Sequence, residues 1–435
     1  MSLTFDEKSK AVLEIMENGQ EHIFLTGNAG TGKSTLLDHF RNSTMKNIAV
    51  IAPTGVAAVN VRGETIHSFF GFAPNITPDK ATLDAKRTKK SKIYNTLDIL
   101  VIDEISMVRA DLFDSIDAFL RSARKRDIPF GGVRIIMVGD LHQLPPVVTY
   151  VEKDALAAMY ETPYFFSSRV FNDLFGGLYS QLKFIELDKI YRQKEKNFVE
   201  LLNKIRNKET TVKDIEKLNN QVVGEGDFIE DYIILTAIND QADKINQTRL
   251  DQIEGPTFSF RAIRSGDFSE GQAPAAELIV LKTGARVMLL NNDPQGRWIN
   301  GTVGTLFRAQ SDVVFVKIDG GELERIEPVT WKSFKTVFNP EKAALETNEV
   351  GSYNQMPIRL AWAITIHKSQ GKTFEKVAID LGRGAFAHGQ TYVALSRCTT
   401  LSGLKLIRPI SEESIIMDAR VIDFLRRLRQ QVDSL

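Results

Sequence analysis

Cysteine is almost missing from this chain. Cys398 stands alone among 435 residues, which excludes an internal disulfide framework and suits a reducing compartment. Histidine is scarce as well, and positions 22, 39, 67, 142, 367 and 388 show no metal-ligand spacing, so no zinc-type site is expected. There is no excess of charge: 55 Lys and Arg balance 55 Asp and Glu, so bulk charge announces no nucleic-acid partner and only local patches could serve one. No apolar run approaches the ~20 residues that span a bilayer. The opening "MSLTFDEKSK" has no apolar stretch of the signal-peptide kind. A soluble, intracellular protein without a membrane partner is expected. What is present is ordinary for a globular chain, 43% hydrophobic and 25% charged, with length for roughly two to four domains.

Short apolar runs recur, and several end at Gly or Asp. "HIFLTG" (22–27), "NIAVIAPTG" (47–55), "LDILVIDE" (97–104), "VRIIMVGD" (133–140) and "SQLKFIEL" (180–187) predict buried parallel strands, because both faces are apolar and helical patterns lie between most of them. One helix is predicted within "GKSTLLDHFRN", another over "RADLFDSIDAFLRSARKR". This alternation predicts a doubly wound α/β domain. In the second half "DYIILTA" (231–237), "ARVMLL" (285–290), "KVAIDL" (376–381) and "LKLI" (404–407) predict strands of a second such domain. Between about Gly301 and Met356 the pattern alternates apolar and polar with Gly pairs at turns, which predicts a small antiparallel barrel. Residues 78–96, with six Lys or Arg, are expected to form an exposed basic loop.

"GNAGTGKS", Gly27 to Ser34, fits a phosphate-binding loop, with a strand before it and a helix after it. Its glycines let backbone N–H groups face phosphates, and the helix N-terminus adds positive potential. Lys33 would reach the β- and γ-phosphates and Ser34 would hold Mg²⁺. Asp103, ending an apolar strand in "LVIDE", can hold Mg²⁺, with Glu104 beside it to orient or deprotonate water. A helix N-cap is the lesser reading of Asp103 even taken alone, and beside a phosphate loop it loses to the catalytic one. "VGDLHQLPPV" brings Gln143 toward the γ-phosphate. The chemistry implied is hydrolysis of a nucleoside triphosphate.

A second Gly-Lys-Thr closes "HKSQGKT" (367–373), but a true phosphate loop needs a glycine five residues before its Gly-Lys, and that position is Ile366. Thr365, His367, Lys368 and Ser369 offer instead a concentrated set of polar groups suited to a phosphate backbone or to the far side of the nucleotide. Arg192 in "LDKIYRQ" and Arg397 in "YVALSRCT" are then candidate fingers across a cleft. One nucleotide site, completed from the other half, is expected.

The ordered series "GNAGTGKST", "APTGVAAVNVRGETIHSFFG", "VIDEISMV", "GDLHQLPPV", "IYRQ", "AWAITIHKSQGKT" and "YVALSR" resembles superfamily 1B DNA helicases, and more narrowly the Pif-type (petite integration frequency) helicases, relatives of RecD. "LFDSIDAFLRSAR" (112–124) is similar to that group's signature segment. The resemblance implies two RecA-like domains, 1–185 (with a small insertion about 64–95) and 186–300 plus 357–435, the second interrupted by an SH3-like β insertion at 301–356. It implies an ATP- and Mg²⁺-dependent motor moving 5′ to 3′ on single-stranded DNA and unwinding tailed duplex or structured DNA such as G-quadruplexes, as a monomer in solution. By matching position, Gly27, Asn28, Ala29, Gly30, Thr31, Gly32, Lys33, Ser34 and Thr35 would hold the nucleotide, with Gly371 on its far side. Asp103 and Glu104 would drive hydrolysis, Gln143 would couple the domains, and Arg192 and Arg397 would be the fingers. Pro53, Thr54, Gly55, His67, Ser68, Thr236, Asn239, Thr365, His367 and Lys368 would line the DNA track. One departure is Lys8, where the family usually has a glutamine that reads adenine. The chain lacks the long extensions of eukaryotic members, which implies a cytoplasmic bacterial or phage-like enzyme, or a nuclear or mitochondrial one if this is a trimmed eukaryotic core. Two other readings compete. A phosphate-loop ATPase acting as a remodelling or signalling switch would leave "HKSQGKT" unused, and a passive single-strand-binding module would have no use for Asp103 and Glu104.

Overall fold

The computed structural model describes residues 5–433 except 173–177, 192–194, 225–228, 230, 343, 383 and 386. The first domain is built on a sheet of β1 (His22–Gly27), β2 (Ile48–Ala52), β3 (Glu64–Thr65), β4 (Ile99–Ile102), β5 (Arg134–Val138) and β6 (Leu182–Leu187), in the order β3-β2-β4-β5-β1-β6 with every pairing parallel. The two-residue period of a strand sends its apolar residues to opposite faces. Ile23 and Leu25 of β1 join Val101, Val138, Leu36 and Phe40 in one core. Phe24 joins Leu100, Met137, Phe113 and Phe165 in the other. Both faces are therefore covered by helices, as a parallel sheet requires.

Residues 78–96 are not a loop. Thr77 caps a helix Pro78–Arg87 and a second helix spans Ser91–Thr96. Ala81, Ala85, Ile93 and Tyr94 are buried beneath the lysines, so a half-buried helical face hides inside a basic composition. Phe69, Phe70 and Phe72 pack around Tyr94 and Phe119 as core.

Helices Lys196–Asn207 and Val212–Asn219 bury Phe198, Leu201, Leu202, Ile205 and Leu218 in the second domain's core, β7 (Ile233–Thr236) begins its sheet, and a long antiparallel excursion follows. It comprises β8 (Thr257–Arg261), β9 (Ile263–Gly266), β10 (Leu278–Lys282), β11 (Arg286–Leu289), β12 (Val303–Ala309), β13 (Val314–Ile318), β14 (Leu323–Ile326), β15 (Val329–Asn339), β16 (Ala344–Gln355) and β17 (Ile358–Leu360). The chain then returns through β18 (Ala363–Thr365), β19 (Val377–Asp380) and β20 (Leu404–Leu406) to complete a parallel sheet β18-β7-β19-β20. β11 corrects the sequence reading of 285–290 as a strand of that parallel sheet. It pairs antiparallel with β12 and β17, in a sheet β14-β13-β12-β11-β17 that closes the excursion at its neck. An apolar run states that a strand is buried and is silent on its partner.

The hairpin β15–β16 leaves this sheet and crosses to the first domain. There the Thr336 N–H donates to the buried Glu64 carboxylate and the Leu345 N–H to Asn47 Oδ1 at 2.9 Å. The last helix, Ala419–Asp433, which the sequence reading left with the second domain, also lies on the first. Val421, Phe424, Leu425 and Leu428 are buried in the aromatic core, with Phe424 stacked on Phe166 at 4.3 Å.

Candidate active site

β1 ends in the loop Gly27–Gly32. Gly32, at φ 83°, turns the chain into helix Lys33–Ser43, a left-handed conformation that glycine adopts at little cost. Lys33 folds back over the loop, its Nζ donating to the carbonyls of Gly27 at 2.8 Å and Asn28 at 3.1 Å. Burial pushes its pKa down, against the pull of Asp140, Glu104 and Asp103 nearby. Ser34 and Thr35 are exposed on the first helical turn.

β4 delivers Asp103 and Glu104 to the same place. Burial, then the adjacent Glu104, raises the Asp103 pKa; burial also raises that of Glu104, opposed by Lys33 and Arg397. Glu104 sits at φ 49°, ψ 45°, a left-handed backbone that is strained for a side-chain-bearing residue and recurs at functional sites. Two adjacent carboxylates, Asp103 with its pKa raised by burial and by Glu104, form a hard-oxygen donor pair suited to Mg²⁺. Among the described residues no group of three or more His, Cys, Asp or Glu could hold a metal ion, so substrate or water oxygens would have to complete such a site.

β5 contributes a residue that sequence reasoning passed over. Asp140 is fully buried and binds Arg206 Nη2 at 3.2 Å, His142 Nδ1 at 3.3 Å and Gln143 Nε2 at 3.5 Å. Burial alone would raise its pKa; Arg206, His142 and Lys33 reverse that and hold it ionised. Arg206 comes from helix Lys196–Asn207, whose Asn203 meets the Asn28 side chain of the phosphate loop at 2.9 Å. The available signal was "LLNKIR", polar residues three apart on an otherwise apolar face.

The second domain closes on this group. The Tyr392 hydroxyl accepts from the Ala29 N–H at 3.3 Å, and burial pushes that phenol up to about 12. His388 donates from Nε2 to the Leu141 carbonyl at 2.6 Å while Nδ1 accepts from the Asp418 N–H at 2.7 Å, so the ring is neutral. Gln370 of "HKSQGKT" meets Gln143 at 3.5 Å. Arg397 is 1% exposed and donates to the carbonyls of Ser369 and Lys372, both at 3.4 Å. Gly371 is exposed between them. Arg192 lies outside the described residues.

The expected track residues gather at carboxyl ends of strands, where open α/β sheets bind ligands. Register pairs Ala52 with Thr65, so Pro53, Thr54 and Gly55 lie beside His67 and Ser68. Thr54 caps helix Gly55–Asn60 and Ser68 donates to Glu64 at 3.3 Å. In the second domain Thr236 pairs with Thr365, Asn239 opens the helix Asn239–Asp251, and His367 and Lys368 are exposed just past β18. The excursion reaches the first group, because a Cβ on Gly55 would come within 2.4 Å of the Gly271 carbonyl.

A family model for PIF1-like helicases matches residues 5–216. The chain is 33% identical to the ATP-dependent DNA helicase Pif1 of Bdellovibrio bacteriovorus, over 96% of this chain and 90% of that protein. It spans 64% of the length of the zebrafish and human relatives. Among solved structures it resembles Bacteroides sp Pif1 in complex with ADP-AlF4, with a TM-score of 0.89 at 34% identity over 99% of this chain and 98% of that one. It also resembles the Bacteroides Pif1 helicase in complex with ADP-AlF3 and single-stranded DNA, with a TM-score of 0.65 at 34% identity and the same coverage. No described helix is long and apolar enough to cross a membrane. Sheet order, phosphate loop and full-length similarity agree: this chain belongs to the PIF1-like helicases, a family of ATP-dependent DNA helicases.

Proposed function

We propose that this chain hydrolyses ATP to move 5′ to 3′ along single-stranded DNA and to unwind tailed duplexes. The observation that carries the reading is "HKSQGKT". It begins one residue past Ile366, beside Thr365 at the mouth of the second sheet, and its backbone and side chains bond both Gln143 and the Arg397 guanidinium. Movement of DNA phosphates against Thr365, His367 and Lys368 is thereby transmitted to the two groups facing the nucleotide. Direction rests on family likeness, and DNA binding is supported by the single-strand complex of the similar Bacteroides helicase.

In this reading Lys33 exchanges its carbonyl partners for the β- and γ-phosphates, with the N-terminus of helix Lys33–Ser43 behind it. Glu104 orients the attacking water and accepts its proton; Lys33 and Arg397 offset the burial that would otherwise neutralise it. Arg397 and Arg192 stabilise charge on the transferred phosphoryl group. Ser34 and Asp103 would hold Mg²⁺, which would supply positive charge against the triphosphate. Residues 301–356 act on DNA as an SH3-like module and are dispensable for hydrolysis. The test is strand displacement on 5′- and 3′-tailed duplexes with ATP turnover measured in parallel. Unwinding of the 5′-tailed substrate with DNA-stimulated turnover is expected. Turnover indifferent to DNA would instead favour a nucleotide switch.

A further inference from the structure

We propose that Arg206 is a positioning residue of the nucleotide site, holding the Asp140 carboxylate so that Lys33 stays available to the phosphates. The proposal rests on the assignment of Lys33 to the triphosphate. Asp140 is 1% exposed, and a carboxylate so buried requires a cation. Arg206, His142 and Lys33 act on it; burial holds the His142 pKa down to about 4, so that ring is neutral and Arg206 and Lys33 are the two cations. As folded they are kept apart in role: Arg206 bonds Asp140, whereas the hydrogen bonds of Lys33 run to the carbonyls of Gly27 and Asn28. Without the guanidinium, Lys33 would be the cation left to Asp140. The pair that formed would tie down the ammonium and cancel the charge that attracts a triphosphate.

Arg206 is itself held from a distance. It is 5% exposed, its Nη1 lies 3.4 Å from Glu186 of β6, and its Nε has no hydrogen-bond partner among the described residues. Two carboxylates therefore set its place. Glu186 in turn takes two hydrogen bonds from Arg429 of the last helix, both at 2.9 Å. A chain of charges, Lys33–Asp140–Arg206–Glu186–Arg429, thus runs from the phosphate loop to the far end of the sequence.

The experiment measures the affinity of the full chain for a fluorescent ATP analogue by anisotropy. Arg206→Met is expected to weaken binding at least tenfold. Adding Asp140→Asn, which removes the carboxylate that would capture Lys33, is expected to restore affinity to within threefold of the parent. Arg206→Lys should fall between, and Arg429→Met should weaken binding less than Arg206→Met. A purely structural role would not be rescued by a second substitution. The proposal is overturned if Arg206→Met binds like the parent, or if a cooperatively melting double variant stays weak. Should Arg206→Met alone fail to fold, Asp140→Asn is compared with the double variant: equal affinities support the proposal and a further loss overturns it. Lys33→Ala separates the layers. If it binds nucleotide normally, the assignment of Lys33 fails and this proposal with it; if it loses binding while Arg206→Met does not, only this proposal fails.

Discussion

Two stretches of this chain share Gly-Lys followed by a hydroxyl residue, and folding gives them opposite tasks. In "GNAGTGKST" the lysine opens an eleven-residue helix and curls back onto two carbonyls of its loop, near three carboxylates. In "HKSQGKT" no helix follows. Lys372 points the other way, to the Asn300 side chain, with Arg359 as its charged neighbour. One lysine is the residue proposed to meet the phosphates; the other is a largely buried amine whose backbone carbonyl serves Arg397. The tripeptide carries no function until the glycine five residues upstream has, or has not, shaped a loop.

The sharpest test of this contrast is a pair of substitutions. Lys33→Ala should reduce DNA-stimulated ATP turnover by about 10³-fold or to assay background, since a principal electrostatic partner of the phosphates is lost. Lys372→Met should keep turnover within about threefold. Equal losses in steady-state assays would erase the distinction. Arg397→Ala tests whether the second segment matters through the guanidinium it cradles. A fall in kcat of about 10³-fold with a smaller change in ATP affinity is expected, and unchanged single-turnover hydrolysis would place all catalysis in the first domain.

A smaller effect is expected at the contact between the halves. Gln370→Ala should cut the stimulation of turnover by single-stranded DNA about tenfold, a coupling loss of ordinary size, and leave DNA-free turnover within about twofold. A drop in both would make Gln370 part of the chemistry. The smallest effect is on stability. Burial, then Arg359, pushes Lys372 down to about 8 from 10.5. Between those pH values the unfolded chain holds more protons, so the cost of burying the charge is full below pH 8 and vanishes above 10.5. Lys372→Met should therefore stabilise the protein at pH 7 by up to about 3 kcal/mol, with the gain shrinking as pH rises toward 10. A pH-independent difference in denaturant midpoints would assign the effect to packing.

The parallel strands were legible because burial on both faces leaves unbroken apolar runs, and the phosphate loop because its spacing is strict. β11 was not, since "ARVMLL" suits either kind of sheet. The helices over 78–96 were masked by lysines that outnumber Ala81, Ala85, Ile93 and Tyr94. Among site residues, Lys33, Asp103, Glu104, Gln143 and Arg397 converge in space, and Thr54 with His67 and Thr236 with Thr365 fall side by side through strand register. Asp140, Asn203 and Arg206 escaped notice because each is ordinary in its own segment. Only the packing of helix Lys196–Asn207 on the phosphate loop joins them.

The docking of the last helix has a mechanical consequence. The chain leaves the first domain after β6 and comes back to it at Ala419–Asp433, so the second domain is strung between two tethers rather than hung from one. A body on a single thread can swivel in any direction. One held at two points turns about the line joining them, like a door on its pins. The hairpin β15–β16 adds a third contact through Glu64 and Asn47, so any opening of the cleft would have to part it from the first domain along with Tyr392 and Gln370 from their partners. Cutting the chain near residue 185 would not release an intact first domain: it would strip Phe424 from Phe166 and leave the aromatic core open to water.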